Sequence, residues 1–223
     1  MPKVIIHNQV SLDGAIAGFQ INPAEYYTIV NSFGAEMYLV GSETARSGIK
    51  HFSKKHQPET PADFQPAVSV PDDSRPYWVI PDSEAKLLGQ LHHLRQYEHC
   101  REVIVLISAE TPAEYRQYLQ ERHYPYFIAG EVKVDFRNAF AQLGEKYTYH
   151  TMVTDNGGKL SAVLLDNALV DQVSLVVSPT LTDRKNPKLF RELKLGKRVI
   201  KLNPVKAEIL ESKDVWLLFG VVK

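Results

Sequence analysis

Three strand-to-glycine junctions gather the residues whose types and spacing could do chemistry. In the first, the apolar Val4-Ile5-Ile6 runs on to Val10-Ser11-Leu12-Asp13-Gly14, so a strand end delivers a hydroxyl and a carboxylate onto a turn. Gly14 permits the positive φ or close backbone approach that a tight exit needs. In the second, Met37-Tyr38-Leu39-Val40 enters Gly41-Ser42-Glu43-Thr44. A strand running through Gly-x-x-Thr into a helix offers free N–H groups and a hydroxyl at a helix N-terminus, a seat for phosphate. In the third, Tyr147 to Val153 leads into Asp155-Asn156-Gly157-Gly158-Lys159-Leu160 and the apolar spacing Leu160, Val163, Leu164. Gly157-Gly158 lets backbone reach contact with a pyrophosphate. Each junction alone also reads as a plain turn. The spaced-glycine dinucleotide fingerprint and the phosphate-loop lysine are both missing.

Other candidates are fewer. Period two along the first strand sets His7 on one face with Ile5, Gln9 and Ser11, as a group facing a ligand or as a structural histidine. His92-His93 and His99 lie in a basic-polar stretch without a carboxylate at ligand spacing and read as a solvated helix face, so no metal site is expected. The single cysteine, Cys100, excludes an internal disulfide and a multi-cysteine zinc cage.

The chain has 223 residues, 44% of them hydrophobic, enough for one substantial core, and a single domain over 1–223 is expected. A formal net charge of zero gives no electrostatic reason to expect nucleic acid or an anionic membrane as partner. No apolar stretch approaches the roughly 20 residues of a membrane span, and Asn8-Gln9 interrupts any signal-peptide pattern, so a cytoplasmic protein is expected.

Strands and helices alternate along the chain. A strand from Val4 to Val10 precedes a helix opened by Asn22-Pro23 and running to about Phe33. Strand Met37 to Val40 then leads to a short segment ending at Gly48. Between Lys50 and Ser74 four prolines without period (Pro58, Pro61, Pro66, Pro71) mark a long excursion that is neither strand nor helix, and it reads as a lid, an oligomer arm or a disordered stretch. Strands Tyr77 to Ile80 and Val103 to Ile107 follow. Thr111-Pro112-Ala113-Glu114 has the form of a capping box for a helix to about Arg122. Tyr126 to Ala129 is a strand, and Asp135 caps a helix ending near Leu143 before Gly144. After a strand Val173 to Val177 come extended runs Val199 to Leu202, Ala207 to Leu210 and Val215 to Val222, the last two forming an antiparallel hairpin.

In this order the motifs resemble a known family. Ser11-Leu12-Asp13-Gly14, Gly41-Ser42-Glu43-Thr44, Arg75-Pro76 through Pro81-Asp82-Ser83, Asp155-Asn156-Gly157-Gly158, and Leu169-Val170-Asp171-Gln172 with Pro179 look like the reductase domain of riboflavin biosynthesis. The resemblance covers nearly the whole chain. It departs from the family at Ala15, where a basic residue is usual, and at Asp155 and Gln172, where glutamate is usual.

The resemblance implies an α/β, dihydrofolate-reductase-like three-layer fold: a mostly parallel mixed sheet flanked by helices, with a C-terminal antiparallel hairpin. It implies NADPH as cofactor, with its diphosphate against Gly157-Gly158-Lys159-Leu160 and the Gly41 to Thr44 turn, and its adenosine end near Ser83 and Ser108. The implied reaction is hydride transfer to the ring-opened imine of a ribosylamino-pyrimidine 5′-phosphate, giving the ribitylamino product. Asp13 and Asp155 are the implied catalytic carboxylates, and Ser11, Asp155 and His7, where relatives often carry lysine, the implied substrate contacts. Lacking cysteine ligands for the zinc deaminase domain of bifunctional relatives, the chain resembles the stand-alone reductase, and relatives suggest a homodimer. A reductase of the same fold acting on a pterin, dihydrofolate or another carbonyl, or a non-catalytic nucleotide-binding member, is the alternative.

Overall fold

A computed structural model describes residues 2–52, 58–68, 70 and 72–223. The chain divides into two compact units, one formed by Glu36–Tyr149 and the other by Pro2–Ala35 with His150–Lys223.

In the first unit four parallel strands, β2 (Met37–Leu39), β3 (Tyr77–Pro81), β4 (Val103–Ile107) and β5 (Tyr126–Ile128), lie in the order β5-β4-β3-β2. Every residue of β4 is buried, as expected of an apolar run in a parallel sheet covered on both faces. Helices α2 (Ser42–Phe52), α3 (Leu91–Arg95), α4 (Ala113–Glu121) and α5 (Phe136–Lys146) follow the strands. Ile49 of α2, Leu91 and Leu94 of α3 and Tyr115 of α4 share a core cluster with Val103, Val105 and Ile107 of β4. The Asp135 carboxylate accepts from the amides of Arg137 and Asn138 at 2.9 and 3.2 Å and caps α5 as expected.

Four local expectations are corrected in this unit. The capping box at Thr111 does not form: its hydroxyl accepts from the Ser108 amide at 3.0 Å and donates to the Ser83 carbonyl at 3.1 Å, and Pro112 is the N-cap. Glycine does not stop α2 or α5, since Gly48 and Gly144 lie inside them, where packing of the apolar face outweighs a glycine cost of about 1 kcal/mol. His92 and His93 are buried at 2% and 5% exposure, not solvated, because α3 is short and packed around its circumference. His99 is exposed.

Of the proline-rich excursion, residues 53–57, 69 and 71 lie outside the described residues. Pro61–Phe64 forms a 3₁₀ turn, with the Asp63 carboxylate accepting from the Thr60 amide and hydroxyl at 2.7 and 2.9 Å. Glu59 is held in a two-point ion pair by Arg122, at 2.6 and 2.7 Å, and the guanidinium packs against the rings of Phe64 and Tyr118. That anchor supplies order which proline spacing alone did not reveal.

The second unit holds β1 (Lys3–Ser11), β6 (Thr151–Thr154), β7 (Gln172–Ser178), β8 (Leu202–Ile209) and β9 (Val215–Val221), ordered β6-β1-β7-β9-β8. β1 is parallel to β6 and β7, while β9 runs antiparallel to both β7 and β8. Helices α1 (Pro23–Ser32) and α6 (Gly158–Asp166) complete it. Asn22 caps α1 ahead of a proline in its first turn, as expected. The C-terminal hairpin is present, but Val199 to Leu202 and Ala207 to Leu210 are not separate strands. One strand, β8, runs through Pro204 with a register shift between Pro204 and Lys206, which an edge strand tolerates because proline's missing donor faces outward.

Candidate active site

The candidate site residues of the second unit hang on the exits of β1 and β6. β1 ends in a closed loop: the Ser11 amide donates to the Ala15 carbonyl, and the Ala15 amide donates to the Ser11 hydroxyl, both at 2.9 Å. Gly14 sits at φ +79°, the left-handed region that favours glycine. Ser11, 1% exposed, donates its own proton to Asp13 Oδ1 at 2.6 Å. Its hydroxyl is thereby spent on shaping the turn.

Asp13 faces the segment 180–189. Its carboxylate accepts from the Thr182 amide at 3.1 Å and from the Thr182 hydroxyl, and it forms an ion pair with Lys188 Nζ. The Lys188 ammonium, and then the Ser11 hydroxyl, hold the Asp13 carboxyl far below the usual carboxylate range. A carboxyl so firmly ionised has no proton to give near neutral pH, so what Asp13, expected as a catalytic carboxylate, offers is a fixed negative charge. Backbone bonds from Leu189 N to Gly14 O and from Ile16 N to Pro187 O lace the same segment to the turn.

The β6 exit is fixed from β1. Asn8, buried on the strand, donates through Nδ2 to the carbonyls of Asp155 and Asn156 at 3.1 and 3.3 Å. Asn156 Nδ2 donates to Thr154 Oγ1 at 2.6 Å, and the Ser161 hydroxyl donates to the Asn156 carbonyl. Asp155 does not cap α6, whose N-cap is Gly157. Burial pushes the Asp155 carboxyl from 3.8 up to about 6. Burial, and then the nearby Asp155 charge, raise the Tyr27 phenol of α1. Asp155 is therefore the carboxyl that exchanges a proton near neutral pH, and Asp13 the one that does not.

Glycine serves different ends at the two residues that open α6. A Cβ on Gly157 would meet only Ile16, at 3.4 Å, whereas one on Gly158 would lie 2.5 Å from the Leu189 carbonyl oxygen. The expectation that Gly158 is small to admit a diphosphate is corrected accordingly: its space is taken by the chain's own backbone. The first α6 amides have no intrahelical acceptor, and Lys159 is exposed beside them, an arrangement suited to an anion. Leu160 is partly buried.

His7 is fully buried, so it presents no surface to a substrate in this structure. Its Nδ1 lies 2.8 Å from Ser174 Oγ, which also accepts from Trp216 Nε1, and its ring packs on Tyr26 and Phe33. Burial lowers its pKa to about 4, so it is neutral at physiological pH. Gln9, on the same face, donates to Ser178 and to Asp214, each at 2.9 Å.

In the first unit, the Gly41 carbonyl accepts from the Ala45 amide at 2.9 Å at the start of α2, and Thr44 is exposed in the first turn. Glu43 there is paired with Lys86 and Arg46. Ser83 is partly exposed and Ser108 is fully buried, with its hydroxyl donating to the Val132 carbonyl at 3.0 Å. Ser108 thus offers a cofactor no accessible hydroxyl, which corrects its expected place at an adenosine. Asp82, buried at the β3 exit, accepts from the amides of Lys86 and Leu87 at 3.0 Å and shapes that turn.

Sequence reasoning missed Asn8, Thr182 and Lys188. The partners of Asp13 lie 169 and 175 residues away along the chain, a distance over which local spacing carries no signal. Asn8 could have been noticed as a polar residue in the middle of an apolar strand.

Parallel strands whose exits carry a titratable carboxyl and a helix N-terminus suited to an anion mark an α/β fold with a candidate ligand site at its strand ends. The RibD C-terminal domain model matches residues 2–214, and the chain belongs to that family. No curated protein sequence matches it. Among solved structures it is similar to a pyrimidine reductase-like protein from Corynebacterium diphtheriae, with a TM-score of 0.69 at 14% identity over 100% of this chain and 92% of that one. The riboflavin biosynthesis reductase Rib7 of Saccharomyces gives 0.67 at 17% identity, over 99% and 90%. Acinetobacter baumannii RibD gives 0.67 at 18% identity, with 100% of this chain spanning 58% of that protein. At these identities the structures share the fold.

Proposed function

We propose that the chain catalyses the NADPH-dependent reduction of a ribosylamino-pyrimidine 5′-phosphate to its ribitylamino form. Family membership makes it an oxidoreductase. The observation that carries the finer reading is the Asp155 carboxyl, raised by burial to about 6 beside the N-terminus of α6.

When bound, NADPH supplies the hydride that adds to C1′ of the ring-opened imine, breaking the C=N π bond. Asp155 holds the proton that the imine nitrogen takes up, and is left as the carboxylate. A general acid works best with a pKa near the working pH, which Asp155 has and Asp13 lacks. Asp13, fixed as an anion by Lys188 and Thr182, holds segment 180–189 against the end of β1. The α6 amides at Gly157 and Gly158, with Lys159, fit a diphosphate. The protein's share of catalysis is orientation and proton supply, since the cofactor carries the reductive chemistry.

No helix among the described residues is long and apolar enough to cross a membrane, and a cytoplasmic site of action accords with a phosphorylated, water-soluble substrate. The test is the loss of NADPH absorbance with the ribosylamino-pyrimidine phosphate and, separately, with dihydrofolate. Oxidation with the first and not the second supports the reading. NADPH binding without turnover on either substrate overturns it.

A further inference from the structure

The zero net charge of the chain hides an uneven distribution. Residues 183–201 lie between β7 and β8 and contain no helix or strand. Eight of these nineteen residues are lysine or arginine, against Asp183 and Glu192, an excess of six positive charges that leaves the rest of the chain with six negative ones. Among the described residues only Lys188 and Arg198 of the eight have an acidic partner, Asp13 and, at 4.0 Å, Asp166. Arg184, Lys185 and Arg191 are exposed. The Asp183 carboxylate accepts from the Lys185 backbone amide at 2.8 Å and pairs with no cation of the segment.

The segment is fastened to the candidate site. An isolated bridge pairs Lys188 with Ala15 in the exit turn of β1, and the Leu189 amide donates to the Gly14 carbonyl at 3.0 Å. The Leu189 carbonyl oxygen lies only 2.5 Å from where a Gly158 Cβ would stand, so the same residues also touch the start of α6. Arg184, Lys185 and Arg191 follow or precede that anchor within four residues, and Lys159 adds an exposed cation at the helix end. Long connections without secondary structure are uncommon in compact units, and those that are ordered usually serve a function.

We propose that segment 183–201 is an electrostatic guide that draws phosphorylated ligands to the exits of β1 and β6, with Arg184, Lys185 and Arg191 supplying the attraction at the site. Its ligands are the phosphate-bearing cofactor and substrate of the preceding proposal, on which it rests. Exposed cations on long side chains add little to a bound complex, because water and salt screen them and ordering them costs entropy. Their field still reaches about 8–10 Å into solution at ordinary ionic strength. A cluster of one sign beside a site raises the local concentration of the opposite charge and speeds association by about 10- to 1,000-fold. Lys188 has its charge cancelled by Asp13, so the unpaired cations on either side of it carry the effect. With the remainder of the chain net negative, an approaching polyanion is repelled elsewhere and attracted here.

Stopped-flow mixing of the full chain with NADPH, followed by the cofactor's fluorescence from about 20 to about 500 mM salt, tests the proposal. The association rate is expected to fall more than about tenfold over that range while dissociation changes less than about twofold. The combined variant Arg184→Gln, Lys185→Gln, Arg191→Gln should bind about tenfold more slowly at low salt and lose most of the salt dependence, with dissociation again within about twofold of wild type. All three side chains are exposed, and circular dichroism checks that the variant folds. The charge-preserving set Arg184→Lys, Lys185→Arg, Arg191→Lys should keep the wild-type rate, which a role in shape alone would not predict. An association rate indifferent to salt, or a folded neutralised variant that binds as fast as wild type, overturns this proposal even where turnover is found. Salt-dependent association that the neutralised variant loses, without turnover on either substrate, upholds it and overturns only the proposed reaction. Absence of NADPH binding overturns both.

Discussion

Asp155→Asn is expected to make the protein more stable and less active, with the stability gain tied to pH. The carboxyl moves from an ordinary 3.8 to about 6 on folding because burial penalises its charged form. At low pH, below the unfolded value, both states carry the proton and the residue costs nothing. As pH rises through about 4, the unfolded chain releases its proton while the folded protein keeps it, so folding weakens until pH passes about 6, where the cost levels off. Two pKa units correspond to about 3 kcal/mol, and because the residue is only partly shielded from water, solvent screening trims this to about 1–3 kcal/mol. Asparagine has the same shape without the charge, so the variant is relieved of that cost.

Thermal unfolding of both proteins at a series of pH values should give coincident midpoints near pH 4. By pH 7.5 the variant should unfold about 3–10 °C higher, at roughly 2–4 °C per kcal/mol for a chain of this length. Turnover should fall about 10²-fold or more through loss of the proton donor, and the wild-type rate should decline as pH rises above about 6. A difference in midpoint independent of pH would refute the burial argument. Wild-type turnover in the variant would refute the catalytic one.

Gly158→Ala sets a Cβ against the Leu189 carbonyl; it should cost about 1–3 kcal/mol in denaturant unfolding, and a variant as stable as wild type would mean that segment 180–189 yields freely. Lys188→Met removes the ion-pair partner of Asp13, so trypsin should cut after Arg184 and Lys185 faster than in wild type, and an unchanged cleavage rate would show the segment held by its backbone bonds alone. Arg122→Ala should destabilise by roughly 1–3 kcal/mol through the loss of two ring contacts and the pairing to Glu59, read as a lower midpoint in urea with little change in slope. The His7 ring, held neutral by burial with a pKa of about 4, should show no titration by NMR between pH 8 and pH 5.5; a midpoint near 6.5 would mean that water reaches the ring.

The alternation of apolar runs with capped helices was legible in the chain because each signal is local. Val103-Ile104-Val105-Leu106-Ile107 can satisfy its side chains only inside a covered parallel sheet, and Asn22-Pro23 and Asp135 supply the helix-opening chemistry found there. Elsewhere a local signal was outbid. The Thr111 hydroxyl accepts from the nearby Ser108 amide and gives its one proton to the Ser83 carbonyl 28 residues away, so it turns away from the amides of α4. His92 and His93 look polar in sequence, and packing of α3 buried both.

The two candidate acids divide most clearly between what sequence and what structure decide. By itself the sequence determined that a carboxylate stands at each of two strand exits, Asp13 and Asp155, because strand, glycine and acid are adjacent in the chain. Which of them keeps a proton was decided only by tertiary structure. Lys188, 175 residues from Asp13, folds back to stabilise its charge, whereas desolvation penalises the charge of Asp155, which has no cation partner among the described residues. Charge stabilisation depends on distance through space, and only the folded chain fixes that distance.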